Sequence, residues 1–493
     1  MVDWHLKQLL APWLALTVDA KVNTLVLDSR AVRQGGLFVA IPGHKVDGRH
    51  FIDEAIEQGA SAVLVESEQS GIELRGKVPL VAFPDLRRRL SALAWRFYGE
   101  PGIVPVGITG TNGKTTTSQL LAQLCDKLGT NAGIVGTLGA GRFGELVPAI
   151  NTTPDAITVA RTLAGLDASG CKIAAMEVSS HALSQGRVSA VPFKVAIFTN
   201  LSRDHLDYHG TLGAYAAAKA QLFDWPSLEA SIINADDPLG ESWLRDRFER
   251  QHTIAYGLEP IDSGLASQVL YVTDVRPHLA GVRAKVTGSF GEAELSSPLL
   301  GIFNLSNLLA AIAGGLALGF DLNALCAAAS SVQPVAGRMQ AFERAGKPQV
   351  VVDYAHTPDA LEAALTALRP HTKGKLWCVF GCGGDRDPGK RPLMTAAVAK
   401  CADIGIVTAD NPRSEKVMDI IQQMLAGNSY GDAMQVVANR KEAIFHAISQ
   451  ASPLDVVLIA GKGHEDYQEI NGQRLHFSDI EEVQQALDQE PSC

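Results

Sequence analysis

The stretch "VPVGITGTNGKTTTSQLLAQL", residues 104–124, decides the class of this chain. "VPVGIT" is a short apolar run suited to a buried strand, and Gly110 to Gly113 supply a turn. From Thr115 onward, Leu120, Leu121, Leu124 and Leu128 recur at helical spacing, and Gly129 is a stop signal. Strand, glycine turn and helix N-terminus together aim backbone N–H groups and the positive end of the helix dipole at an anion. Lys114 is placed to reach outer phosphates, and the Thr115 hydroxyl to bind Mg²⁺. The common phosphate loop, G-x-x-x-x-G-K-[ST], would put its first glycine where Ile108 stands. The displaced glycine indicates a loop variant. The plainer alternative is a βα turn whose lysine faces solvent.

At 493 residues the chain should hold about three domains. Its hydrophobic content of 46% and charged content of 19% are those of a globular protein with ample core. A net charge of −10, from 43 basic and 53 acidic residues, offers no basic face for nucleic acid. It leaves room for an anionic substrate, because local pockets can oppose the net field. Seven cysteines do not read as a disulfide framework, and Cys378 and Cys382 in "LWCVFGCGG" read as core thiols. "LLAPWLAL" near the start is too short and too interrupted for an export signal. The longest apolar stretch, residues 308–320, falls short of the ~18 residues of a membrane span and reads as a buried helix. A cytoplasmic monomer acting on small molecules, without a membrane partner, is the expectation.

Three regions separate by pattern: residues 1–99, 100–334 and 335–493. The first carries short strands ("TLVLDS", "GLFVAIPG", "SAVLVES") and a basic helix, "DLRRRLSALAWRFYG", before the Gly/Pro boundary "YGEPGIVP". The third alternates strands and helices through "QVVVDYAH", "KLWCVFGCGGDRD", "DIGIVTADNPR" and "DVVLIAGKGHED". Each apolar run breaks into a polar glycine-containing loop, as in a parallel α/β sheet, where ligands gather at the carboxyl ends of the strands.

Three constellations carry candidate chemistry. "KIAAMEVSSHAL" ends a strand in Glu177, the position of a Mg²⁺ ligand beside a phosphate loop. "FTNLSRDHLDYHG" gathers Asp204, His205, Asp207 and His209. It is either a polar loop or, through His205 and His209, a zinc site, and the adjacent phosphate loop favours magnesium. "VTADNPRSE" puts Arg413, suited to bidentate capture of a carboxylate, beside Asp410 and Asn411, suited to an ammonium. That combination would hold an amino acid, and the alternative is a solvated turn.

Together these segments resemble the Mur ligase family of ATP-dependent amide-forming enzymes of peptidoglycan synthesis. The likeness runs nearly end to end through "DSRAVRQGGLFVAIPG", "GTNGKTTT", "NTTPDA", "EVSSHAL", "TNLSRDHLDYHG", "FNLSN", "GRMQ", "VVDYAHTPDAL", "GCGGDRDPGKRPLM", "DNPR" and "GKGHE". The family's loop reads G-T-N-G-K-[ST], which explains Gly110 as its first glycine. The resemblance implies a three-domain α/β architecture: an N-terminal UDP-substrate-binding domain, a central P-loop ATPase domain and a C-terminal Rossmann-like amino-acid-binding domain.

Residue roles carry over by motif. Gly110, Thr111, Asn112, Gly113, Lys114, Thr115 and Thr116 match ATP phosphate contacts, and Asn304, Arg338 and Asp353 match further ATP contacts. Leu27, Ser29, His44, Lys45 and Val46 match the uridine positions. His44-Lys45-Val46 departs there from the His-Gln-Ala of relatives. Asn151, Thr152, Thr153, Ser179, Gln185 and Arg187 match residues that hold the nucleotide-sugar peptide. Thr115, Glu177 and His205 match the magnesium site, together with Lys219, which the family carries as a carbamate. Sequence pattern alone makes Lys219 a helix-surface lysine. Arg386, Asp410, Asn411, Pro412, Arg413, Gly461 and Glu465 match a pocket for meso-diaminopimelate. With Lys114, Glu177, His205 and Lys219 in catalytic roles, the implied reaction joins diaminopimelate to UDP-N-acetylmuramoyl-L-alanyl-D-glutamate through an acyl phosphate, using ATP and Mg²⁺. The rival readings are a folylpolyglutamate-synthetase-like ligase and a nucleotide-gated binding protein that ligates nothing.

Overall fold

Val104–Thr109 is the buried strand that its sequence announces, and it leads through Gly110–Gly113 into the helix Lys114–Lys127. The computed structural model describes residues 3–43, 46–149, 151–202, 204–246, 252–278, 281–426 and 433–489. It divides into two compact units, Met1–Tyr256 with Ile261–Val269 and Ala313–Phe320, and Gly257–Pro260 with Leu270–Ile312 and Asp321–Cys493.

In the first unit, Val104–Thr109 lies inside a sheet ordered Glu145–Val147, Gly139–Arg142, Ala132–Gly136, Ile173–Glu177, Val104–Thr109, Val195–Phe198, Ala230–Asn234, His252–Gly257. The six strands from Ala132–Gly136 onward are parallel, so all their carboxyl ends emerge on one edge. Register sets what meets there: Glu177 pairs with Ile108, and Phe198 with Thr109. The acid of one strand, the glycine loop of the next and Thr199-Asn200 of a third therefore share one level. Helix Lys114–Lys127 is buried almost all round, from Thr115 to Cys125, and stops at Gly129, which takes a left-handed φ of 81°.

The N-terminal part of this unit is a separate five-stranded sheet ordered Thr24–Val26, Gly36–Ala40, Ala60–Ser67, Val78–Pro84, Gly71–Arg75. Gly36–Ala40 is buried on both faces, which explains its unbroken apolar run. Gly71–Arg75 is exposed at every residue and closes the edge with Glu73 and Arg75, a charged margin that discourages further pairing. Helix Leu86–Tyr98 buries Leu86, Leu90, Leu93, Ala94 and Phe97 at helical spacing, and the same core takes in Leu6 together with Leu9 and Leu10 from "LLAPWLAL". Sequence reading had anticipated neither Gly71–Arg75 nor Val78–Pro84.

The second unit holds an antiparallel meander, Gln268–His278, Gly281–Gly288 and Gly291–Ser297. It also holds a six-stranded sheet ordered Gln340–Phe342, Gln349–Asp353, Val456–Ala460, Leu376–Cys382, Ile404–Ala409, Met434–Val436. All but Gln340–Phe342 are parallel. Helices Pro358–Leu368, Lys390–Cys401 and Val417–Leu425 cover one face, and Arg440–Gln450 and Asp479–Asp488 the other. This is the parallel α/β sheet anticipated, with helices on both faces and Met434–Val436 added as a fifth parallel strand. Its last strand in sequence, Val456–Ala460, inserts between Gln349–Asp353 and Leu376–Cys382, and the loops after Asp353, Cys382, Ala409 and Ala460 all emerge at the carboxyl edge of the parallel strands, where such sheets bind ligands. Cys378 and Cys382 are buried in the core, as expected. Residues 308–313 are buried inside the helix Ile302–Ala317, and no described helix is long and apolar enough to cross a membrane.

Candidate active site

The phosphate loop is braced by its neighbouring strands. Thr111 N–H donates to Asn200 O at 2.8 Å, and Asn112 N–H to Asn200 Oδ1 at 2.9 Å. Gly110 has φ 152°, and a Cβ there would collide with the Thr199 hydroxyl, so the loop needs glycine at this place. Lys114 Nζ donates to Gly110 O at 2.9 Å and Thr111 O at 2.8 Å, curling over the loop it belongs to. Thr115 and Thr116 are buried in the first helical turn.

Glu177 is 1% exposed. Its Oε2 accepts from the Thr115 hydroxyl at 3.0 Å and the Thr137 hydroxyl at 3.1 Å, and its Oε1 from Thr137 N–H at 2.8 Å. Gly136 leaves it room: a Cβ there would overlap Glu177 Oε1 and lie 2.7 Å from Cδ. A hydroxyl and a carboxylate at the mouth of a phosphate loop form the hard-oxygen donor set that suits Mg²⁺, which takes few protein ligands. Among the described residues no three His, Cys, Asp or Glu side chains form a metal cage. His209 instead bonds Ser180 Oγ at 2.9 Å.

Lys219 corrects the surface reading of its helix. It is 1% exposed, its Nζ donates to Gly110 O at 2.7 Å, and it sits 4.2 Å from the Tyr215 ring centroid. Burial, seconded by the Lys114 charge and opposed by Asp204, pushes its ammonium well below the usual lysine range. Tyr215, itself pushed up to about 12 by burial, packs edge-on to His205 with ring centroids 6.0 Å apart. Lys219 and Tyr215 thus converge on the loop, and His205 packs behind them against Tyr215.

Residues expected to hold the nucleotide-sugar peptide form one network. Thr153 donates to Glu177 O at 2.9 Å, and Ser179 N–H donates to Thr153 Oγ1 at 3.0 Å. Arg187 donates to Thr153 O at 2.8 Å and grips Gln185 Oε1 through two nitrogens at 2.9 and 2.7 Å. The Thr152 hydroxyl is 3.0 Å from that of Thr137, and Asn151 is exposed. Leu27, Ser29 and Val46 belong to the N-terminal sheet region, where Ser29 donates to Glu54 Oε2 at 2.9 Å and Val46 is exposed. His44 and Lys45 lie outside the described residues.

In the second unit, Asp353 accepts from Met339 N–H at 2.8 Å and Ala355 N–H at 2.9 Å. Burial raises its pKa, with Arg338 opposing. Arg338 stacks over the Tyr354 ring at 4.5 Å. Asn304, on its own helix, donates to Leu300 O at 2.9 Å.

The expected amino-acid pocket assembles from three strand-end loops. Arg413, at φ 51°, donates to Gly384 O at 2.7 Å, and Arg386 and Arg413 flank Gly383. A Cβ at Gly461 would lie 2.6 Å from Asp410 Oδ2. Asn411 is buried; its Oδ1 accepts from Lys462 Nζ and Glu469 N–H, and its Nδ2 donates to Glu465 Oε2. It orients Glu465, and its neighbour Pro412 is buried. Sequence reading missed the supports of these loops. Arg391 bonds both oxygens of Glu415 at 2.9 and 2.8 Å. Buried Arg440 pairs with Asp479 and also donates to Ala409 O and Ala460 O. Neither arginine differs from a helix-surface residue in sequence alone, since its partner lies 24 or 39 residues away. Lys462 was visible inside "GKGHE".

A nucleotide-type loop with an acid at the adjacent strand end, followed by a Rossmann-like domain with a zwitterion-suited pocket, defines an ATP-dependent ligase architecture. Residues 21–98, 108–315 and 337–463 match, in turn, the models for the Mur ligase family catalytic domain, the Mur ligase middle domain and the Mur ligase glutamate ligase domain. The chain belongs to the Mur ligase family. It is 51% identical over 471 residues (95% of this chain, 96% of the relative) to the UDP-N-acetylmuramoyl-L-alanyl-D-glutamate–2,6-diaminopimelate ligase of Pseudomonas aeruginosa. It is 48% identical over 489 residues (98% of each) to the ligase of the same name from Vibrio vulnificus. A solved structure of a ligase so named aligns over 99% of each chain with a TM-score of 0.71 and 38% identity.

Proposed function

We propose that this chain joins meso-diaminopimelate to the D-glutamyl carboxylate of UDP-N-acetylmuramoyl-L-alanyl-D-glutamate, cleaving ATP to ADP and phosphate, in peptidoglycan synthesis. What supports the reading is Arg386 and Arg413 beside Gly383, with Glu465 held by Asn411 at a strand-end loop of the same sheet, two guanidiniums and a carboxylate suited to a zwitterionic amino-acid end. The near-half identity to relatives bearing that name supports it.

A carboxylate and an ammonium do not condense in water, so the carboxylate must first be activated. One of its oxygens attacks the γ-phosphorus, the bond to the ADP oxygen breaks, and an acyl phosphate forms. The neutral diaminopimelate amine then attacks the acyl carbon, a C–N bond forms, phosphate leaves, and the amine proton passes to solvent. Lys114 would neutralise phosphate charge, and phosphoryl transfer of this kind rests on positioning and electrostatics. Bound at Thr115 and Glu177, with His205 nearby, Mg²⁺ would supply further charge neutralisation. Thr153, Gln185 and Arg187 would hold the peptide; Leu27, Ser29, His44, Lys45 and Val46 the uridine; and Asn304, Arg338 and Asp353 the ATP. Lys219, buried and favouring its neutral amine, would add to CO₂ with loss of a proton, giving an anionic carbamate where a cation would oppose a metal. The division at residues 99 and 334, a monomeric state and a cytoplasmic location belong to the same proposal.

The test is to incubate the protein with ATP, Mg²⁺, the UDP-linked dipeptide and a panel of amino acids, and to weigh the products. The reading requires a product heavier by one diaminopimelate residue, and ADP release that depends on both acceptor and amino acid. ADP release without either substrate would favour the nucleotide-gated binder, and γ-glutamyl extension of a folate the synthetase alternative.

A further inference from the structure

The pocket at the carboxyl ends of the C-terminal strands contains a cation to which the ligation chemistry gives no role. The Lys462 side chain is fully buried, and lysines are almost never so unless paired. Its Nζ donates to Asn411 Oδ1 at 3.0 Å and Glu465 Oε2 at 3.2 Å, and lies 5.4 Å from the Tyr467 ring centroid. Asn411 Oδ1 also accepts from Glu469 N–H at 3.0 Å. With two donors on its oxygen the amide can face only one way, and Nδ2 meets Glu465 Oε2 at 2.9 Å. Glu465 therefore has Oε2 engaged twice. Among the described residues, the hydrogen bond to its Oε1 comes from the Tyr354 hydroxyl, at a long 3.4 Å.

We propose that Lys462 is the positioning residue behind amine selectivity in this pocket: it locks Asn411 and one oxygen of Glu465, so that the other oxygen is presented to the ammonium at the non-reacting end of the diamino acid. The inference rests on the diaminopimelate reading above. That end of the substrate is a zwitterion. Arg386 and Arg413, flanking Gly383, suit its carboxylate, and Glu465 suits its ammonium. A carboxylate already held in one orientation loses less freedom on binding than one that must be ordered by the ligand. Lys462 thus serves the amine reader and leaves the carboxylate reader alone, and the two readings can be separated by omission of one group at a time.

The experiment compares three amino acids, meso-diaminopimelate, 2-aminopimelate (which lacks one amine) and L-lysine (which lacks one carboxylate), in wild type, Lys462→Met and Lys462→Arg. In Lys462→Met the KM for diaminopimelate should rise about tenfold to a hundredfold, with kcat falling less and the KM values for ATP and the UDP-linked dipeptide near those of wild type. The preference over 2-aminopimelate should shrink by a similar factor while the preference over lysine persists. Lys462→Arg, which keeps charge and donors, should recover part of the amine preference. If Lys462→Met does not fold in a thermal melt, Lys462→Gln carries the same comparison. A loss of kcat with both preferences intact, or both preferences falling together, would mark a structural role and overturn the inference. A wild-type protein that accepts 2-aminopimelate as readily as diaminopimelate would instead defeat the pocket reading, and this inference with it.

Discussion

Replacing Gly136 by alanine tests whether the placement of Glu177 matters to turnover. The new Cβ would lie 2.7 Å from Glu177 Cδ and 2.8 Å from Cγ, closer than real Cβ atoms approach a neighbour. Glu177 Oε1 comes closer still, so the carboxylate must retreat by roughly 1 Å or slightly more to reach ordinary contact. Its bonds to Thr115, Thr137 N–H and Thr137 Oγ1, at 3.0, 2.8 and 3.1 Å, would then be stretched or broken. Overpacking of this kind costs about 1–3 kcal/mol of stability. A shift of ~1 Å in a group that positions reacting partners can cost ~10²-fold in rate, so kcat should fall by about that factor. Gly133→Ala is the matched control on the same strand. Its Cβ would meet Leu166 Cδ1 at 2.6 Å, overpacking a flexible apolar side chain instead of the acid. Stability by thermal melt and ADP release per folded molecule, measured on both variants, separate the effects. Both should melt earlier, and only Gly136→Ala should lose turnover. Undiminished kcat in Gly136→Ala, or equal losses in the two, would refute the reasoning.

Lys114→Ala should fold normally and lose ~10²–10³-fold in ligation, read as ADP release, because a single group stabilising transition-state charge contributes on that scale. Arg413→Ala should raise the diaminopimelate KM sharply and shrink a preference over lysine that can reach ~10⁴-fold, in competition assays with both amino acids. Lys219→Ala should lose most activity, with part returned by short-chain carboxylates, and ¹³CO₂ should give the wild-type protein a carbamate NMR resonance absent from the variant. Lys219 also predicts a pH effect in CO₂-free buffer. Its ammonium is disfavoured in the folded state, so between its lowered value and its ordinary value of about 10.5 the unfolded chain binds more proton, and stability rises with pH across that window. Urea titrations of Lys219→Met should lack that rise.

What the sequence determined by itself was local and periodic. The β-branched run to Thr109, the glycines at 110 and 113 and the leucines after them define strand, turn and helix within some twenty consecutive residues, because backbone preference and burial pattern act over that range. The alternation after residue 349 specifies a parallel α/β sheet for the same reason. Tertiary structure decided what each side chain faces. Glu177 meets Thr115 because parallel register sets the end of one strand against Ile108 of the next. Lys219 is buried because its helix lays it against Gly110, 109 residues earlier, and no periodicity within nine helical residues could show that. Asn411 suits an ammonium by residue type, but only the packed chain shows that its oxygen accepts from Lys462, 51 residues on, and from Glu469 N–H, while its Nδ2 donates to Glu465. Hydrogen-bond partners so far apart are chosen by how strands align and how their loops fold back, information that resides in the packed chain and in no window of its sequence.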